Sequence, residues 1–357
     1  QQRKRREAWI TNSARRLAEV GYHLGEVAIA LDERPNRSAV SDLGQGFRHG
    51  RGARFQPGIP IVNLLWHRDA GMAKRRTNGA VTRFAPSPTG EIHLGHAYSA
   101  LTAYFESQGK TGRFLVRIED IDPVRSKPEF EKAILEDLGW LGLKWEKPVR
   151  RQSKHIADYR AALDHLRRNG LVYPCFCTRK EILAEIERAG HAPHGPDGLI
   201  YPGTCRDIDQ KKVQKRIEKG EAYALRLDLS RAATIVGPLT WFDRSRGKVK
   251  ARPERFGDVV LARKDAPTSY HLAVTVDDHL QGISLVTRGD DLFDATHVHR
   301  LLQALLGYDT PEYRHHRLLT DEAGRRLAKR EGDVTIRALR ETGYTPEEVR
   351  MMTGYAG

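Results

Sequence analysis

Residues 83–96 read Arg83-Phe-Ala-Pro-Ser-Pro-Thr-Gly-Glu-Ile-His-Leu-Gly-His96. The apolar, β-branched lead-in over 81–84 predicts a short buried strand. Pro86, Pro88 and Gly90 then bar both a continued strand and a helix. From His93 onward, Leu94, Ala97, Tyr98, Leu101 and Tyr104 recur at helical spacing. The chain therefore runs strand, tight polar loop, helix. Such a junction aims backbone N–H groups and the positive end of a helix dipole at whatever lies above the strand, which suits a phosphate. His93 and His96 flank Gly95 at the helix start, and Gly95, having no side chain, lets a flat nucleotide approach the backbone.

The next stretch extends this unit. A helix over 94–108, a turn at 109–112 and a strand over 113–118 make a β-α-β unit of a parallel sheet. Glu119, Asp120 and Asp122 follow the strand, at the edge where open α/β sheets bind ligands, and Glu119 is placed to accept hydrogen bonds from an ammonium group. An acidic turn with Asp122-Pro123 as a stop is the structural alternative. Helices over 128–139 and 154–169 come next, with Trp140 and Trp145 read as core packing. Further on, strand-like runs appear at 222–229, 239–243, 258–262 and 270–276, and 285–289 ends another strand with Arg288-Gly-Asp-Asp. Arg288 is a planar donor fork suited to a carboxylate, and a salt bridge to Asp290 or Asp291 is the structural alternative. Helices over 294–306, 334–342 and 346–353 complete the reading.

The chain carries only three cysteines in 357 residues, Cys175, Cys177 and Cys205. That is no disulfide framework; it points to a reducing compartment and a metal site. Clustered thiolates suit tetrahedral Zn2+, which needs a fourth ligand from His191, His194 or Tyr201. Imidazole is the commoner choice on chemistry alone. No run approaches the ~18 apolar residues of a membrane span, and the expectation is a soluble, cytoplasmic, monomeric protein.

Net charge is +14, as expected of a protein that meets a polyanion. Of it, +8 lies within residues 1–80, where Arg3-Lys4-Arg5-Arg6 and Arg15-Arg16 stand out. This segment reads as a poorly ordered extension, lying upstream of a start at Met72, with a nucleic-acid-binding arm as its functional alternative. Glu7, Glu19, Glu26, Asp32 and Glu33 argue against a transit peptide. The basic helix over 207–219 reads as a solvated face or a contact for tRNA phosphates.

The opening stretch resembles the first signature of the class I aminoacyl-tRNA synthetases in the form found in the glutamyl branch and its shortened relatives. Arg117-Ile-Glu-Asp-Ile-Asp-x-x-Arg125 is similar to that branch's second block, and Cys-x-Cys…Tyr-x3-Cys to the zinc site of the shortened relatives. Arg326-Leu-Ala-Lys-Arg330 resembles the second class I signature, with Arg326 in place of a lysine and Ala328 in place of a serine. The resemblance covers residues 80 to about 345. It implies an α/β fold, a class I Rossmann-like parallel sheet with an inserted zinc-bearing α+β subdomain. The expected layout is an extension at 1–78, a first Rossmann half at 79–172, a zinc-binding insertion at 173–255, a second half at 256–333 and short helices at 334–357. It also implies ATP-dependent activation of L-glutamate to glutamyl-adenylate and transfer to the queuosine wobble base of tRNA(Asp). Only 27 residues follow Arg330, too few for an anticodon-binding domain of ordinary size.

The roles the resemblance implies are specific. Arg83, Ala85, Ser87, Glu119, Tyr270 and Arg288 hold glutamate. His93, Gly95, His96 and Lys329 hold ATP with its Mg2+, and Lys329 with His93 and His96 serves the chemistry. Cys175, Cys177, Tyr201 and Cys205 hold one structural zinc. A truncated glutamyl-tRNA synthetase charging tRNA(Glu) and a non-enzymatic synthetase-like RNA-binding protein are the alternatives.

Overall fold

The computed structural model describes residues 79–188, 194–196, 198–319 and 334–355. The expectations for residues 1–78 and for the cationic signature 326–330, Lys329 included, lie outside them. The elements in chain order begin with β1 (Val81–Phe84), α1 (Leu94–Glu106), β2 (Arg113–Ile118), α2 (Pro128–Trp140), β3 (Glu146–Arg151) and α3 (Ile156–Arg168). Then come β4 (Val172–Cys175), α4 (Arg179–Arg188), β5 (His194–Gly195), β6 (Gly198–Leu199), α5 (Gln210–Glu218), β7 (Ala224–Leu227) and α6 (Leu229–Val236). The remainder is β8 (Thr240–Asp243), β9 (Gly247–Lys250), β10 (Val260–Ala262), α7 (Tyr270–Leu280), β11 (Leu285–Gly289), α8 (Ala295–Leu306), β12 (Glu312–His316), α9 (Ile336–Glu341) and α10 (Pro346–Met352). Among the described residues, no helix is long and apolar enough to cross a membrane.

The expected strand–loop–helix–strand unit is present. β2 returns parallel to β1, with Val81 opposite Arg113 and Phe84 opposite Val116. β3 adds to β2 in parallel at the outer edge, where Pro148 needs no ladder donor. Sequence reading leaves β3 inside a connection, because Glu-Lys-Pro-Val-Arg-Arg has no apolar period. Ion pairs fasten it instead: Arg113–Glu146 at 2.6 Å, Arg150–Asp277 at 2.7 Å and Arg151–Glu131 at 2.5 Å.

The other wing of the sheet runs β11, β12, β8 in parallel, with β9 antiparallel at the edge. It lies against β1: Ser284 N donates to Val81 O (3.0 Å), and Val81 N donates to Ser284 Oγ (2.9 Å). From β1 the chain builds outward through β2 and β3, then returns to β11 and builds the opposite way. This reversal is the topological switch point, where open α/β sheets bind ligands beyond the strands' C-terminal ends. Strand 239–243, expected in the insertion, instead forms β8 of this sheet through its pairing with β12.

One expectation fails outright. Residues 270–276 form no strand; they open helix α7. Ser269 caps it, its Oγ accepting from Leu272 N at 3.4 Å. Leu272, Ala273, Val274 and Val276 are all buried, so the run shows no polar face from which to read a helical period. Leu272, Ala273 and Val276 join the main core with Tyr159, Leu163 and Leu166 of α3 and Val298, Leu301 and Leu302 of α8. Each buried leucine or valine among them contributes roughly 1.5–3 kcal/mol by leaving water. β4, β7 and β10 form a separate three-stranded antiparallel sheet, β10-β7-β4, and helix α6 follows β7 over residues for which sequence reading assigned no element beyond Leu229.

The C-terminal helices are tied to the first signature. Ile336 N donates to Ile92 O (2.9 Å), Arg337 pairs with Glu91 (2.8 Å), and Arg340 lies 3.5 Å from the fully buried Asp137 of α2. Burial pushes the Asp137 carboxyl up to about 6, against the pull of Arg340 and Arg337. The folded value exceeds that of an unfolded Asp, about 3.9. The folded state therefore binds the proton more tightly. That stabilisation is complete below about pH 3.9 and is lost as pH rises through about 6. Urea unfolding of wild type and Asp137→Asn between pH 4 and 7 should show wild type losing stability relative to the variant as pH rises. A difference that is flat with pH contradicts this.

Candidate active site

Loop 85–93 crosses the C-terminal ends of β1 and β2. Glu119 N donates to Pro86 O and Lys127 N to Pro88 O, each at 3.0 Å, so the segment leaving β2 is laced to the loop. This brings half-buried Ala85 and exposed Ser87 next to Glu119. At the helix start, His93 Nδ1 accepts from Gly95 N (3.0 Å) and His96 Nδ1 accepts from His93 N (3.3 Å). The two rings lie 3.9 Å apart. A neutral imidazole that accepts at Nδ1 carries its proton on Nε2. Both rings thus present an N–H donor at a helix N-terminus, whose dipole also favours an anion.

Beneath the loop lies an ionic cluster built on Asp277 and Asp278 of α7. Asp278 receives Arg83 through Nε (2.9 Å) and a terminal nitrogen (3.3 Å), and Arg117 at 2.8 Å. Asp277 receives Arg150 (2.7 Å), Gln152 (2.9 Å) and the Tyr159 hydroxyl (3.0 Å). Arg117 also reaches Glu119 at 3.3 Å. Burial raises the Asp278 carboxyl, but the guanidiniums of Arg83 and Arg117 outweigh it and hold it below the usual carboxylate range. At Glu119 burial prevails over Arg117 and Arg83 and raises the carboxyl above its ordinary value.

Arg83 and Arg288 are both 5% exposed, yet their surroundings differ. Arg83 is paired with Asp278, and its remaining recorded bond goes to Thr287 O at 3.1 Å. Arg288, the next residue on β11, has no carboxylate partner among the described residues. Its Nε donates to His315 Nε2 (3.2 Å), one terminal nitrogen donates to His299 Nδ1 (3.1 Å), and the other donates to Thr296 Oγ1. The Tyr313 ring lies 5.5 Å beneath it. Of the two acids offered from sequence as salt-bridge partners, Asp290 pairs instead with Arg246 at 2.5 Å. Tyr270, at the start of α7 and 38% exposed, lies 5.6 Å from the His299 ring.

The six residues expected to hold glutamate therefore lie along the ends of β1, β2 and β11 and the start of α7, beside the two histidines of α1. Sequence reading missed Arg117, Asp277, Asp278, Thr296, His299 and His315. Asp277-Asp278 did carry a signal, because two acids closing a buried apolar run demand partners. His299, inside an ordinary amphipathic helix, carried none.

Apart from this site, Cys175 ends β4, Cys177 follows it, and Tyr201 and Cys205 precede α5. The three sulfurs lie within 4.8 Å of one another and could hold a metal ion. The Tyr201 hydroxyl lies 3.4 Å from Cys175 Sγ and 3.7 Å from Cys177 Sγ, and it accepts from Cys205 N (2.9 Å). His191 lies outside the described residues, and His194 opens β5.

The family model for the catalytic domain of class I tRNA synthetases (E and Q) matches residues 80–356. Over 280 residues the chain is 47% identical to the Glutamyl-Q tRNA(Asp) synthetase of Rhodobacter capsulatus, covering 77% of this chain and 99% of that protein. It is 39% identical over 268 residues to the Glutamate–tRNA ligase of Aquifex aeolicus, covering 74% of this chain and 54% of that protein. The crystal structure of a glutamate tRNA ligase from Elizabethkingia meningosepticum in complex with its amino acid is 28% identical, with a TM-score of 0.59 over 75% of this chain and 54% of that one. The chain thus spans about half the length of those two ligases. It belongs to the class I aminoacyl-tRNA synthetases of the glutamyl and glutaminyl type.

Proposed function

We propose that this chain activates L-glutamate with ATP and transfers it, through glutamyl-adenylate, to queuosine at the wobble position of tRNA(Asp). The observation that carries the reading is Arg288, a buried guanidinium beside the switch point with no carboxylate against it among the described residues. A substrate carboxylate supplies the missing charge. Each terminal nitrogen of Arg288 keeps one N–H beyond its recorded bonds, which suits two parallel hydrogen bonds to a carboxylate. The relatives support the rest: those named Glutamyl-Q tRNA(Asp) synthetase reach 47% and 43% identity, against 39% for the Aquifex glutamate–tRNA ligase.

In this reading ATP lies over the N-terminus of α1, its phosphates met by the ring N–H groups of His93 and His96 and by the helix dipole, with Gly95 beneath. Glu119 takes the ammonium of glutamate, while Ala85, Ser87 and Tyr270 line its site. Arg83, charge-balanced by Asp278, orients the substrate more than it neutralises it. The glutamate carboxylate attacks the α-phosphorus and pyrophosphate leaves. Lys329 stabilises the charge that develops, and catalysis is chiefly positioning and electrostatics. Mg2+ accompanies ATP. The chain acts as a cytoplasmic monomer.

Zinc suits the sulfur cluster. Three soft thiolates with a phenol oxygen beside them make a closed four-ligand set, the arrangement of a structural site. Cys175, Cys177, Cys205 and Tyr201 would hold the ion, which would staple the end of β4 to the turn before α5.

Three outcomes follow. Pyrophosphate exchange with glutamate proceeds without tRNA, and labelled glutamate then transfers to tRNA(Asp) that carries queuosine and to none that lacks it; charging of tRNA(Glu) alone overturns the reading. Lys329→Ala keeps its circular dichroism spectrum but forms glutamyl-adenylate about 10²–10³ times more slowly, the scale for losing one transition-state charge contact. Elemental analysis finds one zinc per wild-type chain and none in Cys205→Ser, while Tyr201→Phe loses zinc faster to a chelator. Wild-type retention in Tyr201→Phe contradicts a tyrosine ligand.

A further inference from the structure

We propose that His299 and His315 are positioning residues that hold Arg288 from two sides while carrying no charge, and that this neutrality determines the site's selectivity for a carboxylate substrate. The inference rests on the reading of Arg288 as a receptor for glutamate.

The protonation pattern follows from hydrogen-bond chemistry. A guanidinium only donates, so each imidazole nitrogen facing Arg288 must offer a lone pair. Arg288 Nε meets His315 Nε2 at 3.2 Å; the His315 proton therefore sits on Nδ1 and is donated to Asp243 Oδ2 at 2.7 Å. A terminal nitrogen of Arg288 meets His299 Nδ1 at 3.1 Å; the His299 proton therefore sits on Nε2 and is donated to His271 Nδ1 at 3.1 Å. His271 in turn carries its proton on Nε2. One chain of neutral rings thus runs from α7 through α8 to Arg288, and from Arg288 through β12 to Asp243 on β8.

The surroundings favour these neutral forms. Burial, followed by the positive charge of Arg288, holds His299 well below its ordinary pKa, and burial lowers His315 against the opposing pull of Asp243. The carboxylate that ends the chain, Asp243, is one imidazole away from the guanidinium. The hydrogen bonds orient Arg288 while its charge stays available.

A direct carboxylate partner in this shell would orient the arginine equally well, and it would compete with the substrate. Isosteric variants separate the two roles. His299→Gln keeps a neutral acceptor for Arg288, and His299→Glu puts a carboxylate in the same place. Calorimetric titration of the full chain with L-glutamate should give a Kd within about threefold of wild type for His299→Gln, and weaker by about 100-fold or more for His299→Glu, with ATP affinity unchanged in both. If His299 serves only to orient Arg288, the glutamate affinities of the two variants will match, and the proposal is overturned. Should His299→Glu not fold, Thr296→Asp against Thr296→Asn applies the same charge contrast at the other terminal nitrogen.

The reaction itself is read separately, by pyrophosphate exchange. A Gln–Glu contrast in binding without exchange by wild type removes the proposed reaction and leaves the neutral shell standing. Exchange without the contrast removes the shell and leaves the reaction. Wild type that binds no glutamate overturns the shell.

Discussion

The paired acids Asp277 and Asp278, buried on one turn of α7, hold the catalytic end of this sheet together. Through them α7 binds a guanidinium from each of three adjacent parallel strands: Arg83 of β1, Arg117 of β2 and Arg150 of β3. Parallel strands give no hairpin to fix their ends relative to one another. Here charge does so. Burying these groups is costly, and their mutual attraction offsets the cost only while every partner is in place. Loss of Asp278 strips Arg83 of its carboxylate, a defect of about 3–5 kcal/mol, whereas on loss of Asp277 Arg150 keeps Asp158 at 2.5 Å.

That arrangement sets the electrostatics above it. Arg83 and Arg117 are balanced within the cluster, and Glu119 is drawn in with them through Arg117. Arg288, one strand over, is left out of the balance. Among the described residues its donors are met by two imidazoles and a hydroxyl, with no carboxylate against its charge. The two histidines at the start of α1 favour phosphate by different means, as ring N–H donors at the positive end of a dipole. Among the described residues, a charge-balanced floor, an Arg288 with no carboxylate partner and an anion-favouring helix end suit an amino acid and a nucleotide held side by side.

Much of this was legible from sequence, for stated reasons. Pro86, Pro88 and Gly90 forced the strand–loop–helix junction, and the apolar run of β2 has a clear buried-strand pattern. The three cysteines came together as their clustering suggested, and Tyr201, which only the family resemblance had singled out, lies beside them. What stayed hidden had weak local signals. β3 is polar and lies at a sheet edge, so ion pairs place it where no hydrophobic period could. Residues 272–276 of α7 are buried throughout, and a buried helix and a buried strand then read alike. His299 and His315 are ordinary residues of an amphipathic helix and a short strand, and only the fold brings both to Arg288. Arg83 was named from sequence, but its pairing with Asp278, 195 residues away, depends on the tertiary fold.

The most direct measurement is a crystal structure with L-glutamate bound. The account predicts one substrate carboxylate within about 2.7–2.9 Å of both terminal nitrogens of Arg288, with the Arg83–Asp278 pair intact and His299 and His315 still accepting from Arg288. Glutamate bound with both carboxylates away from Arg288, or an Arg83 released from Asp278 to take the substrate's charge alone, would contradict it.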